Sequence, residues 1–321
     1  MNKVKKLSAF SLVELSIVIL IISILITGTL TVSRSAINNA RIKETKDKLQ
    51  EINKAIAIYL NRQKRIPCPA SLILVKTDTS YGQEAGTAGN CLDGSGVYSS
   101  SDTNAEGLVY GAVPTATLSL DREMAEDGFG SKFSYIVPVK LTESYIEGSV
   151  DGYEGTLRNQ MDLITVNELS ETGSSINDEI ILVVMSHGAD KYGAFSATSA
   201  SQNSYTDATD DEIANLYKSD FDQIFVTNSD EENFDDILIY KTRPQLNKDA
   251  ELEYTLCLSQ DASNDYNPCS GGNFTWSSNV FYGESSDSDN NCNQNSCSSG
   301  TQIPSRICGK YGEWSSVNNG C

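Results

Sequence analysis

The chain has few histidines and few basic residues, and each shortage argues against a class of function. His187 is the only histidine in 321 residues, which excludes a zinc site built from several histidines. Lysine and arginine total 24 against 43 acidic residues, so the formal net charge is −19. Because nucleic-acid binding needs a basic surface to meet phosphates, this balance predicts no nucleic-acid partner. No glycine-rich phosphate loop follows an apolar run, which leaves nucleotide binding without support.

The N-terminus joins a short basic leader to one long apolar run. Residues 1–9 contain three lysines and no acid, and residues 10–32 contain a single charged residue before the polar sequence begins, Glu14. The run is about as long as a helix needs to span a bilayer, and the lysines favour a cytoplasmic leader. No small-residue cleavage site follows at the distance that a secretory signal peptide requires. The sequence therefore predicts a helical anchor that stays attached to the chain.

A helical pattern continues beyond the apolar run, from residue 36 to about residue 62, without proline or glycine. One stripe repeats every three or four positions, at Ile42, Thr45, Leu49, Ile52, Ile56 and Tyr59, and the opposite face is charged. Pro67 and Pro69 predict that the helix ends near Ile66. We expect this half of the helix to pack on a sheet of the same chain, and a membrane-proximal coiled coil is the alternative.

The stretch AFSLVELSIVILIISIL resembles the signature of prepilins, the precursors of type IV pilins and pseudopilins. The resemblance implies that a prepilin peptidase cleaves between Ala9 and Phe10 and that Phe10 becomes N-methylated. Ala9 stands where that family usually has glycine. Glu14 would be the fifth mature residue, and its implied role is to neutralise the N-terminal amine of a neighbouring subunit during assembly. A position near the lipid headgroups is the alternative for Glu14.

Beyond residue 66 the pattern changes to short apolar runs separated by Gly, Asp and Ser, which predicts a β-rich head over residues 67–247. The expected strands lie at 72–75, 132–139, 179–186 and 235–242. Three segments resemble parts of pilin-like proteins: RIPCPA at 65–70, YGAVPTATLSL at 110–120 and EDGFGSKFSY at 126–135. In the last, Asp127, Gly128, Phe129 and Gly130, followed by Tyr135, are similar to the Asp-x-Trp-Gly turn of pseudopilins, which implies a structural turn.

The eight cysteines fall into two groups. Cys68 and Cys91 enclose a loop and are expected to form a disulfide in an oxidising compartment, with pairing to the tail cysteines as the alternative. The others lie in a polar tail that can bury little core, which predicts a disulfide-rich module at 248–321. Those six are Cys257, Cys269, Cys292, Cys297, Cys308 and Cys321, and the sequence does not determine their pairing.

Two sequence patterns suggest a catalytic site or a metal site. Ser186, His187 and Gly188 suggest a hydrolase, but Ser and His adjacent in sequence do not make a triad, so we expect no enzyme. Acidic strings at 207–212, 230–236 and 287–289 are predicted to be solvated turns without a cofactor. Calcium is the alternative for these strings, since pseudopilins of the resembled family sometimes bind it late in the head, although no EF-hand spacing is present.

Together these features predict an α+β, pilin-like fold: a leader at 1–9, a transmembrane and assembly helix at 10–66, an antiparallel sheet as head, and the Cys-rich module. The expected function is that of a minor pilin or pseudopilin subunit. Before assembly it would cross the inner membrane once with its head in the periplasm, and afterwards it would belong to a pseudopilus or surface pilus. Expected partners are other pilin subunits, the prepilin peptidase and inner-membrane lipid. A tip adhesin whose tail binds a surface or glycan ligand is the alternative, and a membrane-anchored hydrolase is a third.

Overall fold

The structure is a computed structural model that describes residues 11–91, 96–99, 107–144, 153, 164–170, 172–217, 223–229, 231 and 233–252. For residues 24–34 and 177–179, and for eight short strands between residues 256 and 307, it describes the backbone alone. The expected leader, with Ala9 and Phe10, lies outside the described residues.

Helix α1 runs from Leu12 to Gln63, which makes it roughly 80 Å long at 1.5 Å per residue. Ser11 is its N-cap, and the Ser11 hydroxyl accepts a hydrogen bond from the Val13 N–H. The helix ends at Lys64, which has a left-handed φ of 55° and donates its N–H to the Leu60 carbonyl. This end comes before Ile66, because the left-handed cap terminates the helix ahead of the two prolines.

The second half of α1 packs on the head through one stripe of side chains. Thr45, Leu49, Ile52, Ile56 and Leu60 are fully buried. Their neighbours in the core come from the sheet and include Val109, Tyr135, Val137, Ile181 and Val184. The prediction that this stripe is buried on a sheet of the same chain is therefore confirmed for Thr45, Leu49, Ile52 and Ile56, whereas Ile42 and Tyr59 are only partly buried.

The head contains a seven-stranded sheet. Its strands are β1 (Tyr98–Ser99), β2 (Leu108–Ala112), β3 (Ser134–Pro138), β4 (Ile164–Glu168), β5 (Ser175–Ser186), β6 (Ile224–Thr227) and β7 (Ile237–Thr242). Their order is β1-β2-β3-β5-β4-β6, and β7 also pairs with β5. The predicted α+β class with an antiparallel sheet is confirmed, with one exception in the sheet: β4 and β6 are parallel.

Three of the four predicted strands correspond to β3, β5 and β7, and the strand predicted at 72–75 is wrong. The carbonyls of Leu72 and Leu74 accept hydrogen bonds from the Lys132 ammonium group, which is buried. The Val75 N–H donates to the Asp78 carboxylate, which closes a turn. Backbone groups that a strand would use for a ladder are thus bound by side chains.

The head also contains short helices, and its core extends to Leu252, beyond the expected boundary at residue 247. Helix α2 is Asp210–Ala214 and α3 is Arg243–Asp249, and two 3-10 helices lie at Arg122–Ala125 and Val139–Thr142. Ala250 and Leu252 belong to the same core as α1. In the tail, four antiparallel pairs join Leu256–Cys257 to Val280–Phe281, Gln260–Ala262 to Phe274–Trp276, Ser285–Asp287 to Ser305–Ile307, and Cys292–Asn293 to Thr301–Gln302.

Cys68 and Cys91 form a disulfide, with their Cα atoms 5.4 Å apart. The predicted local pair is therefore confirmed over pairing with the tail. Both side chains are fully buried in the main core, where the bond closes the base of the loop between them. The side chains of the six tail cysteines lie outside the described part of the chain.

The turn at Asp127 fastens α1 to the sheet. One carboxylate oxygen of Asp127 accepts from the N–H groups of Phe129 and Ser131, and the other accepts from the Ser186 hydroxyl at 2.6 Å. The Gly128 N–H donates to the Thr45 hydroxyl on α1 at 2.9 Å. The structural role predicted for this turn is confirmed, and the contact to α1 explains why a glycine is required.

We expect Gly128→Ala to destabilise the head by about 1–3 kcal/mol, the usual cost of overpacking. A Cβ at residue 128 would lie 2.3 Å from the Arg41 carbonyl oxygen, so α1 must shift. Denaturant unfolding of the purified chain measures this. Gly130→Asn is the matched control, because a Cβ there meets nothing within 4 Å and asparagine tolerates positive φ at a cost of about 1 kcal/mol. Equal losses in the two variants would contradict the close approach.

We expect a chain ending at Leu252 to stay folded and one ending at Asn247 to lose at least about 2 kcal/mol, the cost of removing buried side chains. The shorter chain loses Ala250 and Leu252 from the core and the bond from the Asn61 side chain to the Ala250 carbonyl. Thermal unfolding of the two truncated chains provides the comparison. If both unfold at the same temperature, residues 248–252 are not part of the head.

Candidate functional site

The first turns of α1 expose large apolar side chains on every face. From Leu12 to Ile22 the large apolar residues are between 47% and 87% exposed. This is the reverse of the second half of the helix, where the apolar stripe is fully buried. One helix thus joins a segment whose apolar side chains stay exposed among the described residues to a segment that is part of the head core.

The polar side chains in this exposed segment bond to the helix itself. The hydroxyls of Ser16 and Ser23 donate to the carbonyls of Val13 and Ile19, at 2.8 and 2.7 Å. The Glu14 carboxylate accepts from the Ser11 N–H at 3.0 Å and completes a capping box. The segment therefore satisfies its polar groups locally, as a helix in an apolar environment must.

Among the side chains that the structure describes, no helical stretch is both long and apolar enough to cross a membrane. The span expected at 10–32 includes Phe10 and residues 24–32, which lie outside those described side chains. The predicted cleavage site lies outside them as well.

A second feature of the head is a group of three carboxylates from separate segments. Asp190 lies in the turn after β5, Glu212 lies in α2, and Asp235 lies just before β7. One oxygen of each lies within 4.8 Å of the others. We call these three residues the acidic triad.

The backbone holds two members of the triad by one oxygen each. Glu212 Oε2 accepts from the Thr209 N–H at 2.8 Å, within the capping box of α2. Asp235 Oδ2 accepts from the N–H groups of Ala189 and Asp190. The other oxygens, Glu212 Oε1 and Asp235 Oδ1, are buried and accept no bond from an N–H or hydroxyl group. The Glu212 and Asp190 carboxyl groups are close enough to share a proton, which gives Glu212 a partner within the triad.

The environment of the triad opposes negative charge. Burial, followed by repulsion from the neighbouring carboxylates, raises the pKa values of Asp190, Glu212 and Asp235. Asp236 lies next to the triad in sequence, and burial raises its pKa well above the ordinary value, with further repulsion from all three. Four carboxyl groups therefore lie close together and destabilise one another when ionised.

His187 lies at the end of β5 in a buried polar network. Its Nε2 is 2.8 Å from the Ser134 hydroxyl and 3.4 Å from the Tyr110 hydroxyl. Its Nδ1 is 3.9 Å from Asp236 Oδ1, which is too long for a hydrogen bond. Burial lowers the pKa of His187 to about 4 while it raises that of Asp236, so both groups favour their neutral forms despite the short separation.

The residues that suggested a hydrolase do not act together. The Ser186 hydroxyl donates to Asp127 rather than to His187. The serine that does contact His187 is Ser134, and it is 1% exposed, so a substrate cannot reach its hydroxyl. Ser134, His187 and Asp236 are therefore a structural network, which sequence reasoning missed because strand pairing alone brings β3 and β5 together.

Comparisons with protein-family models, with curated proteins and with solved structures find no match to the chain.

We expect the pH dependence of stability to reveal the buried, neutral His187. In the unfolded chain the imidazole takes up a proton below its ordinary pKa of about 6.5, whereas in the folded chain it does so only near 4. Its contribution is therefore present above pH 6.5 and lost as the pH falls towards 4, by about 3 kcal/mol.

The measurement compares the unfolding free energy of the wild type and His187→Gln between pH 7 and pH 4. The glutamine keeps an amide that can bond Ser134 but does not titrate, so the other carboxyl groups affect both proteins alike. The wild type should lose more stability than the variant over this range. Parallel curves would show that the imidazole is accessible to protons in the folded state.

Proposed function

We propose that the protein is a minor pilin or pseudopilin subunit without catalytic activity. In this proposal the first half of α1 holds the subunit in the inner membrane before assembly and packs against other subunits afterwards. The observation that carries the proposal is the contrast within α1 between its first turns, Leu12–Ile22, whose large apolar side chains are exposed, and its second half, which is buried in the head. Head and helix then form one rigid unit whose free end must find an apolar environment.

The exposed apolar segment requires an apolar environment. Large apolar side chains on all faces of a helix are unfavourable in water, and a patch of this extent is typical of a surface that meets lipid or protein. A single subunit finds that environment in a bilayer, and an assembled one finds it among the helices of its neighbours. The internal hydrogen bonds of Ser16 and Ser23 are compatible with both.

Glu14 is the one charged residue in the part of the exposed segment whose side chains are described. A carboxylate in an apolar interior is costly unless a partner neutralises it. Cleavage after Ala9 would create an amine at Phe10, and the amine of a neighbouring subunit is the partner that the proposal assigns. The capping box gives Glu14 a second role within its own helix, since the carboxylate also bonds the Ser11 N–H.

Substitution at Glu14 separates these two roles. Glutamine preserves the capping box but removes the charge, and alanine removes both. We expect Glu14→Gln and Glu14→Ala to be processed to an N-terminus at Phe10 and to remain in the membrane. Both should be strongly depleted from sheared filaments, because each lacks the charge that pairs with the amine. Mass spectrometry of the mature N-terminus and immunoblots of the filament fraction measure the two outcomes.

Ser11→Ala is the matched control, since it removes the capping hydroxyl while leaving the Glu14 charge in place. It should assemble nearly as well as the wild type. If Glu14→Gln assembles normally and Glu14→Ala does not, Glu14 acts through helix capping and the charge pairing is wrong. A mature protein that does not begin at Phe10 would overturn the proposed processing.

The adhesin alternative depends on the tail, whose side chains lie outside the described part of the chain. It stays a prediction from the sequence.

A further inference from the structure

Strand β7 lies at an edge of the sheet. Among the described strands it pairs only with β5, so its other side has no partner strand there. Every residue of β7 before Thr242 is partly exposed, whereas β2 and β3 are buried throughout. An open edge of this kind pairs readily with a further strand, and natural proteins usually cover it.

A groove separates this edge from α1. It has a volume of about 490 Å³ and is lined by Lys54 and Ile58 on the helix and by Ile239 and Lys241 on the strand. A second depression of about 350 Å³ shares Ile58 and Asp249 with the first and continues the groove along α1. Ile58 is 53% exposed, so the described residues leave apolar surface in the groove uncovered.

The chain leaves the head at one end of this groove. Ala250 and Glu251 line the second depression, and the Ala250 carbonyl accepts a hydrogen bond from the Asn61 side chain at 2.7 Å. Leu252 is buried in the core, and its N–H donates to the Asn247 carbonyl at 2.9 Å. The tail therefore starts beside the groove, at a position fixed by these contacts.

The first residues of the tail have the pattern of a strand with one apolar face. After the buried Leu252, large apolar side chains occupy every second position, at Tyr254, Leu256 and Leu258. The sequence becomes polar after Ser259. A short apolar face that continues from a core residue requires an apolar surface close to the point where the chain leaves the core.

We propose that residues 253–259 add to the open edge of β7 as a further strand and place their apolar face against Ile58 in the groove. The backbone of Leu256–Cys257 is extended and pairs with Val280–Phe281 along one edge. A strand has two edges, so this pairing is compatible with a second one to β7. The inference does not depend on the function proposed above.

The length of the segment matches the length of the groove. From Asn61 to Gln50 the groove follows α1 for roughly 16 Å at 1.5 Å per residue. Residues 253–258 span about 20 Å when extended at roughly 3.3 Å per residue. The segment can therefore follow the whole groove directly from Leu252, without an intervening loop.

The test measures amide hydrogen exchange of β7 by mass spectrometry in the purified, oxidised full-length chain in detergent. Leu256→Asp places a charge on the apolar face of the segment. We expect exchange on β7 to become about tenfold faster or more, because burial of a leucine side chain shifts an opening equilibrium by at least that factor. Thr255→Asp is the matched control, since it changes the opposite face, and it should leave the exchange rate unchanged. Equal acceleration by both variants, or none by either, would overturn the proposal.

A variant of the head tests the same contact without changing the tail. Ile58→Asp should accelerate exchange on β7 and lower the unfolding temperature by about 2–4 °C, because the apolar contact in the groove is lost. Ile37→Asp is its control, since Ile37 is 52% exposed on the same helix but does not line the groove. If the two variants behave alike, the tail does not cover Ile58.

Protein concentration distinguishes the tail from a second copy of the chain. Protection of β7 by its own tail does not depend on concentration, whereas protection by another molecule increases with it. Such an increase would overturn the proposal and assign the edge to an interface between copies. These measurements need no filament, so their failure and the failure of the assembly assay can be told apart.

Discussion

The burial of one stripe of α1 on the sheet is the interaction on which the rest of the structure depends. Leu49, Ile52, Ile56 and Leu60 belong to the same core as the disulfide between Cys68 and Cys91. In the turn at Asp127, one hydrogen bond reaches Thr45 on α1 and another reaches Ser186 on β5. Gly128 lets the backbone of this turn approach the backbone of α1 at Arg41. The head therefore holds α1 at a fixed position, and the exposed half of the helix projects from a rigid base.

Because α1 is held rigidly, its exposed first turns cannot bury themselves against the head. A detached apolar segment could bury itself by folding back, but a continuous helix of roughly 80 Å carries its first turns away from the head. The apolar surface must then be covered by lipid or by other chains. In the proposed function the same helix serves storage in a membrane and assembly in a filament, since both environments are apolar and neither requires the head to refold.

The head also contains polar groups at some cost to its stability. His187 and Asp236 are buried side by side and favour their neutral forms, because neither charge is solvated and their separation is too long for a hydrogen bond. The acidic triad lies beside them and adds repulsion among closely spaced carboxyl groups.

The sequence by itself predicted the features that depend on local pattern: the stripe of α1, the strands β3, β5 and β7, and, as the favoured of two alternatives, the pairing of Cys68 with Cys91. In each case the periodicity or the short loop between partners carries the signal. Features that depend on contacts between residues far apart in sequence were decided only by the tertiary structure. Lys132 binds the carbonyls of Leu72 and Leu74, where a strand was predicted, and chain folding brings Glu212 to Asp190 and Asp235. Neither contact has a local pattern, because the residues meet only after the sheet has formed.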